Sequence, residues 1–287
     1  MSNILELNGV SKTFPKFALK NVSFALPEGF IMGFIGRNGA GKTTTIKLIL
    51  NMLKKDSGAI RVFGQDHALS EQDIKQRIGV VMDQAFYVDE WTLRDVEGAL
   101  RPFYAQWDSA QYATHLEEFE LDPQKKVKEL SRGMKLKLMI AVALSHQAEL
   151  LILDEPTSGL DAVARNELME ILQTFIADER KGILFSTHIT SDLEKIADYI
   201  TFIQDGEIVY SDIKDNLLEK YAVVRGPLGI LTAEQKQRII GYQEHSVGFE
   251  GLLESADLGG MPASVLTEPG NLDEIVLRFN LGKGKYE

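Results

Sequence analysis

Val22, Phe24 and Leu26 alternate with polar neighbours, so they share one face of a strand, and Pro27-Glu28-Gly29 supplies the turn that ends it. Residues 3 to 35 read throughout as short strands, the last being the apolar run Phe30 to Ile35, which leads straight into glycines. From Thr43 to Leu53 the period changes. Ile46, Ile49, Leu50 and Leu53 are spaced for one face of a helix, and Ser57-Gly58 is expected to end that unit.

Residues 88 to 147 read as mainly helical. Thr92 with Asp95, and Asp108 with Gln111, are expected helix starts with a capping partner three residues on. Leu150 to Leu153 and Ile183 to Ser186 are short apolar runs expected as buried strands. Between them Asp161 is expected to cap a helix running to about Asp178; after them Ser191 with Glu194 is expected to cap a shorter one. Ile200 to Gln204 and Glu207 to Tyr210 flank Asp205-Gly206, a strong hairpin signal. Beyond about Tyr221 glycine and proline become frequent and the elements shorten. Thr232 to Ile240 is an expected helix with Thr232 and Gln235 as its capping pair, and Asn271 with Glu274 opens a last one ending near Phe279. Residues 221–287 are thus expected to form a small α+β appendage to a main unit spanning 1–220. No internal repeat is visible, which excludes two tandem copies of the main unit.

Composition narrows the setting. With 287 residues, 44% of them hydrophobic, the chain has material for a sizeable core. Its formal charge of −11 repels nucleic acid and anionic lipid, so no nucleic-acid partner is expected. The local exception, Lys125, Lys126, Lys128, Arg132, Lys135 and Lys137, is expected as a solvated helix face. The absence of cysteine excludes disulfides and thiolate metal sites and fits the cytoplasm. No run approaches the ~20 apolar residues of a membrane span, and the N-terminus lacks the basic start and apolar core of a secretory signal. Any membrane role is expected to come through a partner chain.

Gly36-Arg37-Asn38-Gly39-Ala40-Gly41-Lys42-Thr43 matches G-x-x-x-x-G-K-T in full, between an expected strand and an expected helix. Glycines allow successive backbone N–H groups to turn toward phosphates, and the helix that follows aims its positive end at them. Residues 36–43, with Thr44 next in the chain, are the candidate nucleotide-binding loop. Lys42 is expected to reach the β- and γ-phosphates, and the Thr43 hydroxyl to ligate Mg²⁺. The strand Leu150 to Leu153 runs into Asp154-Glu155. A parallel strand ends at the ligand crevice, so Asp154 is the expected metal contact and Glu155 the general base for an attacking water. His188 follows the strand Ile183 to Thr187 and is expected at the same crevice, with a structural histidine as the alternative.

Leu130-Ser131-Arg132-Gly133-Met134 precedes Asp154 by about twenty residues, and Ser158-Gly159-Leu160-Asp161 follows it. Phosphate loop, Leu-Ser-x-Gly segment, Asp-Glu pair, Ser-Gly-Leu-Asp loop and histidine, in that order, resemble the nucleotide-binding subunits of ABC transporters over residues 3 to 220. The resemblance implies an α/β P-loop ATPase. Its RecA-like core carries an antiparallel β subdomain and a helical subdomain, the latter expected at about 88–147. It implies ATP and Mg²⁺ as cofactors, and a head-to-tail dimer, more readily of two identical chains than of two different ones. There Ser131 and the Gly133 N–H contact the γ-phosphate held by the other subunit. It places Asp161 in the loop through which the two sites sense each other, and Phe14 at the position that stacks on adenine, unless Phe14 is a core aromatic.

Two departures stand out. Arg132 and Met134 replace the usual glycine and glutamine of the signature. At the metal-contacting glutamine, alignment on Ile78-Gly79 brings either Asp83 or Gln84 into register. The Arg132 form and the short tail resemble subunits that serve separately encoded export permeases. The expected function is therefore an ATPase on the inner face of the cell membrane, attached through a permease. The alternatives are a soluble ABC ATPase outside transport and a nucleotide-binding regulator without turnover. The first is weakened by the lack of long coiled-coil insertions or a second module. The second is weakened by the joint presence of Lys42, Asp154, Glu155 and His188.

Overall fold

The computed structural model describes residues 2–82 and 87–282. At its centre is a six-stranded sheet with the strands in the spatial order Glu207–Ile213, Tyr199–Gln204, Ile31–Ile35, Gly182–Thr187, Leu150–Asp154 and Ile78–Val81. All neighbours are parallel except the edge pair at Glu207–Ile213, which is joined by the expected Asp205-Gly206 hairpin. Parallel strands are covered on both faces, so they carry continuous apolar runs. Leu150 and Ile152 point into one buried cluster, and Leu151 and Leu153 into the other.

The first cluster lies between this sheet and an antiparallel one built from Phe17–Pro27, Asn3–Phe14, Ser57–Val62 and Gln65–Asp66. The expected short strands at the start of the chain are two long ones, of 12 and 11 residues, because their pairing with each other continues through local register shifts. Ser57-Gly58 does not end a unit: it starts the strand that pairs with Asn3–Phe14. The helix expected from Thr43 to Leu53 is shorter, Lys42–Ile49. Asn51 adopts a left-handed backbone, and Met52 N–H returns to Lys47 O while Asn51 N–H returns to Leu48 O, a motif that satisfies the last carbonyls and stops the helix.

The second cluster joins the other sheet face to Leu93–Leu100, Ser109–Glu118, Arg132–Ser145 and Ala162–Ile176. Thr92 closes a full capping box, and Asp108 and Asp161 accept hydrogen bonds from the first turns they precede. Ser191 is not a cap. It lies inside the helix Thr190–Ile196, where the turn at Ile189 is set instead by its N–H donating to Thr187 Oγ1. Nor is the basic stretch one helix face: Lys126 and Lys128 both pair with Glu90, and Lys137 pairs with Glu167 from the next helix.

A third, antiparallel sheet has the order Ile240–His245, Gly248–Glu254, Tyr221–Gly226 and Leu266–Pro269. Thr232 and Gln235 form their capping box, and the last helix runs on from Leu272 to Gly282, past Phe279. Val224 and Leu253 face a small core of this sheet's own. Val223, Leu252, Leu272 and Ile275 instead join the main cluster, so the apolar core continues across Tyr221.

Candidate active site

Three neighbouring parallel strands deliver the site. Ile35 is level with Thr187, and Asp154 with Ser186. Gly36, His188 and Glu155 therefore leave the sheet side by side along its carboxyl edge, where open α/β sheets bind ligands. Gly36 is closely confined: a Cβ there would lie 2.6 Å from Ile203 O. Gly41 has φ +118°, and a Cβ would lie 2.6 Å from a Leu19 methyl. Both the conformation and the space require glycine. Gly41 supplies no side-chain cap to the helix Lys42–Ile49, so the first N–H groups of that helix are left for the loop.

Arg37, Asn38 and Gly39 are exposed at the loop's outer turn, and Ala40 is buried beneath it. Thr43 is exposed, Thr44 is half-buried, and Thr45 turns inward to donate to Gly41 O. Lys42 is only 5% exposed. Its ammonium donates to Gly36 O at 2.6 Å and, more weakly, to Arg37 O at 3.4 Å. It also stands 3.0 Å from Glu155 Oε1. That carboxylate oxygen is buried and has no aligned hydrogen bond of its own.

Glu155 sits at φ +51°, a left-handed backbone that a side chain beyond glycine or asparagine seldom takes. Such a residue costs on the order of 1–3 kcal/mol and is held by its surroundings. Here Glu155 N–H donates to Ser186 O at 2.9 Å, and Ser158 N–H closes the turn onto Glu155 O. The second carboxylate oxygen accepts from His188 Nδ1 at 2.7 Å. Asp154 is 3% exposed, and its Oδ1 accepts from Ser186 Oγ at 2.8 Å. Ser186 thus serves both residues, holding the Asp154 carboxylate through its side chain and the Glu155 backbone through its own. The sequence pattern marks Ser186 only as part of a strand. The available signal was a hydroxyl in an otherwise apolar buried run, where it needs a partner.

Ser131 caps the helix Arg132–Ser145 by accepting from Met134 N–H, and it is exposed. Gly133 has Leu160 and Ala164 as its neighbours, and Arg132 lies along Gly159. A crevice of about 520 Å³ separates Leu130 and Arg132 from Glu155 and Pro156. Phe14 is half-buried at a strand end, with its ring 6.4 Å from that of Phe17. Phe17 in turn packs against Gly41, so an aromatic pair borders the loop, a contact the sequence pattern did not indicate. Asp83 and Gln84 lie outside the described residues.

The donors available for a metal are oxygens, the Thr43 hydroxyl and the Asp154 carboxylate. Among the described residues no group of three or more His, Cys, Asp or Glu is placed to hold a metal ion. Few protein ligands, all hard oxygens, suit an ion that shares its shell with substrate phosphates and water, as Mg²⁺ does. Among the described residues no helix is long and apolar enough to cross a membrane.

Comparison with known proteins agrees with this geometry. The ABC transporter family matches residues 19–158. The ABC transporter ATP-binding protein YtrB of Bacillus subtilis (strain 168) is 29% identical over 293 residues, covering 99% of this chain and 100% of the relative. The Nod factor export ATP-binding protein I of Burkholderia orbicola (strain AU 1054) is 31% identical over 295 residues, covering 96% of each. A solved structure described as the ATP-binding subunit of an ABC transporter superposes with a TM-score of 0.69 at 29% identity, over 75% of this chain and 91% of that one. The chain belongs to the ABC transporter family, as one of its ATP-binding proteins.

Proposed function

We propose that this chain binds Mg-ATP on residues 36–44 and hydrolyses it to power export through a separate transmembrane permease. The observation that carries the reading is the arrangement around Glu155. One strained, half-buried carboxylate lies 3.0 Å from the phosphate-loop lysine and 2.7 Å from His188, at the carboxyl edge of the sheet. Lys42 is pre-placed in the loop, and phosphates entering it compete with Glu155 for the ammonium. Glu155 is then released to accept a proton from water, and His188, gripped through Nδ1, keeps the carboxylate aimed and leaves Nε2 for the γ-phosphate. Asp154 and Thr43 would hold Mg²⁺, which would supply positive charge to offset that of the phosphates.

The direction of transport rests on the Nod factor export relative, which is similar along its whole length. Ser131 is exposed at the start of a 14-residue helix, which supports its offering that helix end to ATP held by a second copy. Phe14 is proposed as the adenine platform and Asp83 or Gln84 as the metal or water contact. Residues 221–287 are proposed as a small C-terminal appendage that shares part of the main core.

The test is steady-state phosphate release by the purified chain with ATP and Mg²⁺, alone and with a membrane chain that co-purifies with it. Turnover that needs Mg²⁺ and rises with the permease supports the proposal. No turnover under either condition sinks it.

A further inference from the structure

Two Asn-Gly pairs occur in the chain, Asn8-Gly9 and Asn38-Gly39. In such a pair the glycine backbone nitrogen stands one ring closure from the side-chain amide carbon of the asparagine. A nucleophile tied to its target gains the advantage of proximity, and glycine has no side chain to shield its nitrogen. Attack forms a bond from that nitrogen to the asparagine Cγ and closes a five-membered succinimide. The Cγ–Nδ2 bond breaks, the glycine N–H proton passes through solvent to the departing amide, and ammonia leaves. Water then opens the ring at either carbonyl, giving aspartate or its backbone-shifted isomer, isoaspartate. Water is the sole co-reactant, and nothing is oxidised or reduced.

The fold treats the two pairs differently. Asn8 lies in the strand Asn3–Phe14, level with Ala59 of Ser57–Val62. Gly9 N–H donates to Ser23 Oγ at 2.8 Å, and a Cβ on Gly58 would stand 2.4 Å from Gly9 O. That nitrogen is engaged, and the chain around it is clamped between two neighbouring strands. Asn38 and Gly39 are instead the two central residues of a turn, closed by Ala40 N–H donating to Arg37 O at 3.1 Å. Both are exposed. Gly39 takes φ +84°, which suits the third position of such a turn, and a Cβ there would meet nothing within 4 Å. Among the described residues neither the Asn38 side chain nor the Gly39 N–H has a hydrogen-bond partner. The flanks are fixed, since Lys42 holds Gly36 O and Arg37 O, and Leu19 confines Gly41. Freedom in this loop is therefore concentrated at the reactive pair.

We propose that Asn38-Gly39 is a self-modification site within the phosphate loop, closed to reaction while a nucleoside triphosphate is bound and open when none is. The inference rests on the reading of residues 36–44 given above. Phosphates draw the N–H groups of such a loop onto their oxygens, which engages the Gly39 nitrogen and stiffens the turn. The product carries a carboxylate where a neutral amide stood, among groups proposed to hold anionic phosphates, and like charges at that range repel. Isoaspartate also adds a carbon to the backbone, which displaces the N–H groups that follow. The reaction thus retires a chain that has stood without nucleotide.

The experiment incubates the full chain in mildly alkaline buffer, alone and with Mg²⁺ and the slowly hydrolysed analogue adenylyl imidodiphosphate. The same chain unfolded in guanidinium chloride, where neither nitrogen is held, sets the time scale. Peptide mass spectrometry follows both pairs through the gain of ~1 Da as amide becomes acid, and calorimetry follows binding of the analogue. In the folded chain alone Asn38 is expected to convert about tenfold faster than Asn8, the worth of the one hydrogen bond that engages Gly9. Binding capacity should fall in step with that conversion. Saturating analogue, present from the start, should slow Asn38 about tenfold or more and leave Asn8 unchanged. Asn38→Asp makes one product directly and is expected to bind the analogue about tenfold more weakly. The proposal is overturned if Asn38 survives as long as Asn8 in the folded chain, if converted chain binds undiminished, or if bound analogue gives Asn38 no protection. A fresh chain that binds no analogue overturns the reading of the loop; one that binds it and keeps Asn38 intact overturns the modification alone.

Discussion

Lys42 Nζ lies 3.0 Å from Glu155 Oε1, across the mouth of the phosphate loop. The other oxygen of the same carboxylate is occupied by His188. One side chain therefore links the residue proposed to meet the phosphates to the residue proposed to sense them. Before ATP enters, each of the three has a partner, which keeps charges at a half-buried site from standing alone.

Glu155→Gln is expected to keep this shape and remove the proton acceptor. Hydrolysis should fall roughly 10²- to 10⁴-fold, the usual contribution of a general base. ATP affinity should hold or rise, because the amide no longer competes for Lys42. Single-turnover hydrolysis and binding of a fluorescent ATP analogue separate the two effects. Turnover at the wild-type rate would remove Glu155 from the mechanism.

Lys42→Ala is expected to weaken Mg-ATP binding about tenfold to a hundredfold, the value of a charge-assisted hydrogen bond of about 1.5–3 kcal/mol. It also leaves Glu155 Oε1 facing no cation, so phosphate repulsion adds to the loss. Titration calorimetry reads the change. An unaltered affinity together with unaltered turnover would contradict the assignment of the loop.

Ser186→Ala tests a residue that only the folded arrangement singles out. Its hydroxyl donates to Asp154 Oδ1 at 2.8 Å in a fully buried setting. Removing a group that orients the carboxylate proposed to bind the metal is expected to raise the Mg²⁺ concentration for half-maximal activity by roughly 10- to 100-fold. The backbone bond from Glu155 N–H to Ser186 O does not depend on the side chain, so the turn at Glu155 should survive. A Mg²⁺ dependence identical to wild type would show that Asp154 needs no such support.

His146 supplies a pH prediction away from the site. It is 2% exposed, stacks on Tyr104 with ring centroids 4.0 Å apart, and has Nδ1 3.2 Å from Gln76 O. Burial pushes its pKa down from 6.5 to about 4. Above pH 6.5 the ring is neutral whether the chain is folded or not, and no penalty arises. As pH falls from 6.5 toward 4, only the unfolded chain takes up the proton, so stability is lost across that window, up to roughly 3 kcal/mol from this group. His146→Phe keeps an aromatic ring against Tyr104 and cannot titrate. The difference in unfolding free energy between wild type and variant should therefore shift in the variant's favour between pH 7 and pH 4.5. A difference that stays constant with pH would exclude the histidine as the cause.

Spacing and chemistry were enough to place the phosphate loop, the Asp154-Glu155 pair, the caps at Thr92, Asp108, Asp161 and Thr232, and the hairpin at Asp205-Gly206. These signals are local: a cap, a tight turn or a strand–loop–helix junction is written within a few residues of itself. The strand Ile78–Val81 was not assigned from sequence, because four residues carry too little pattern and its partner, Leu150–Asp154, lies some seventy residues away. Ser191 has the same local signal as the true caps and is not one; the backbone there was decided by Thr187 and by the seat of Leu193 against Gly33.

Sequence alone determined which residues are proposed to carry the chemistry, since Lys42, Asp154, Glu155 and His188 are named by motif and order. Tertiary structure alone decided how they meet. Parallel register levels Ile35 with Thr187 and Asp154 with Ser186, and that alignment gathers Gly36, Glu155, Ser186 and His188 from three strands, the first of them more than a hundred residues before the other two. The left-handed turn at Glu155 and the bond from Ser186 Oγ to Asp154 Oδ1 belong to the same class. Each is a matter of ångströms between distant parts of the chain, set by how two apolar faces of one sheet are covered, and no local pattern of residues encodes it.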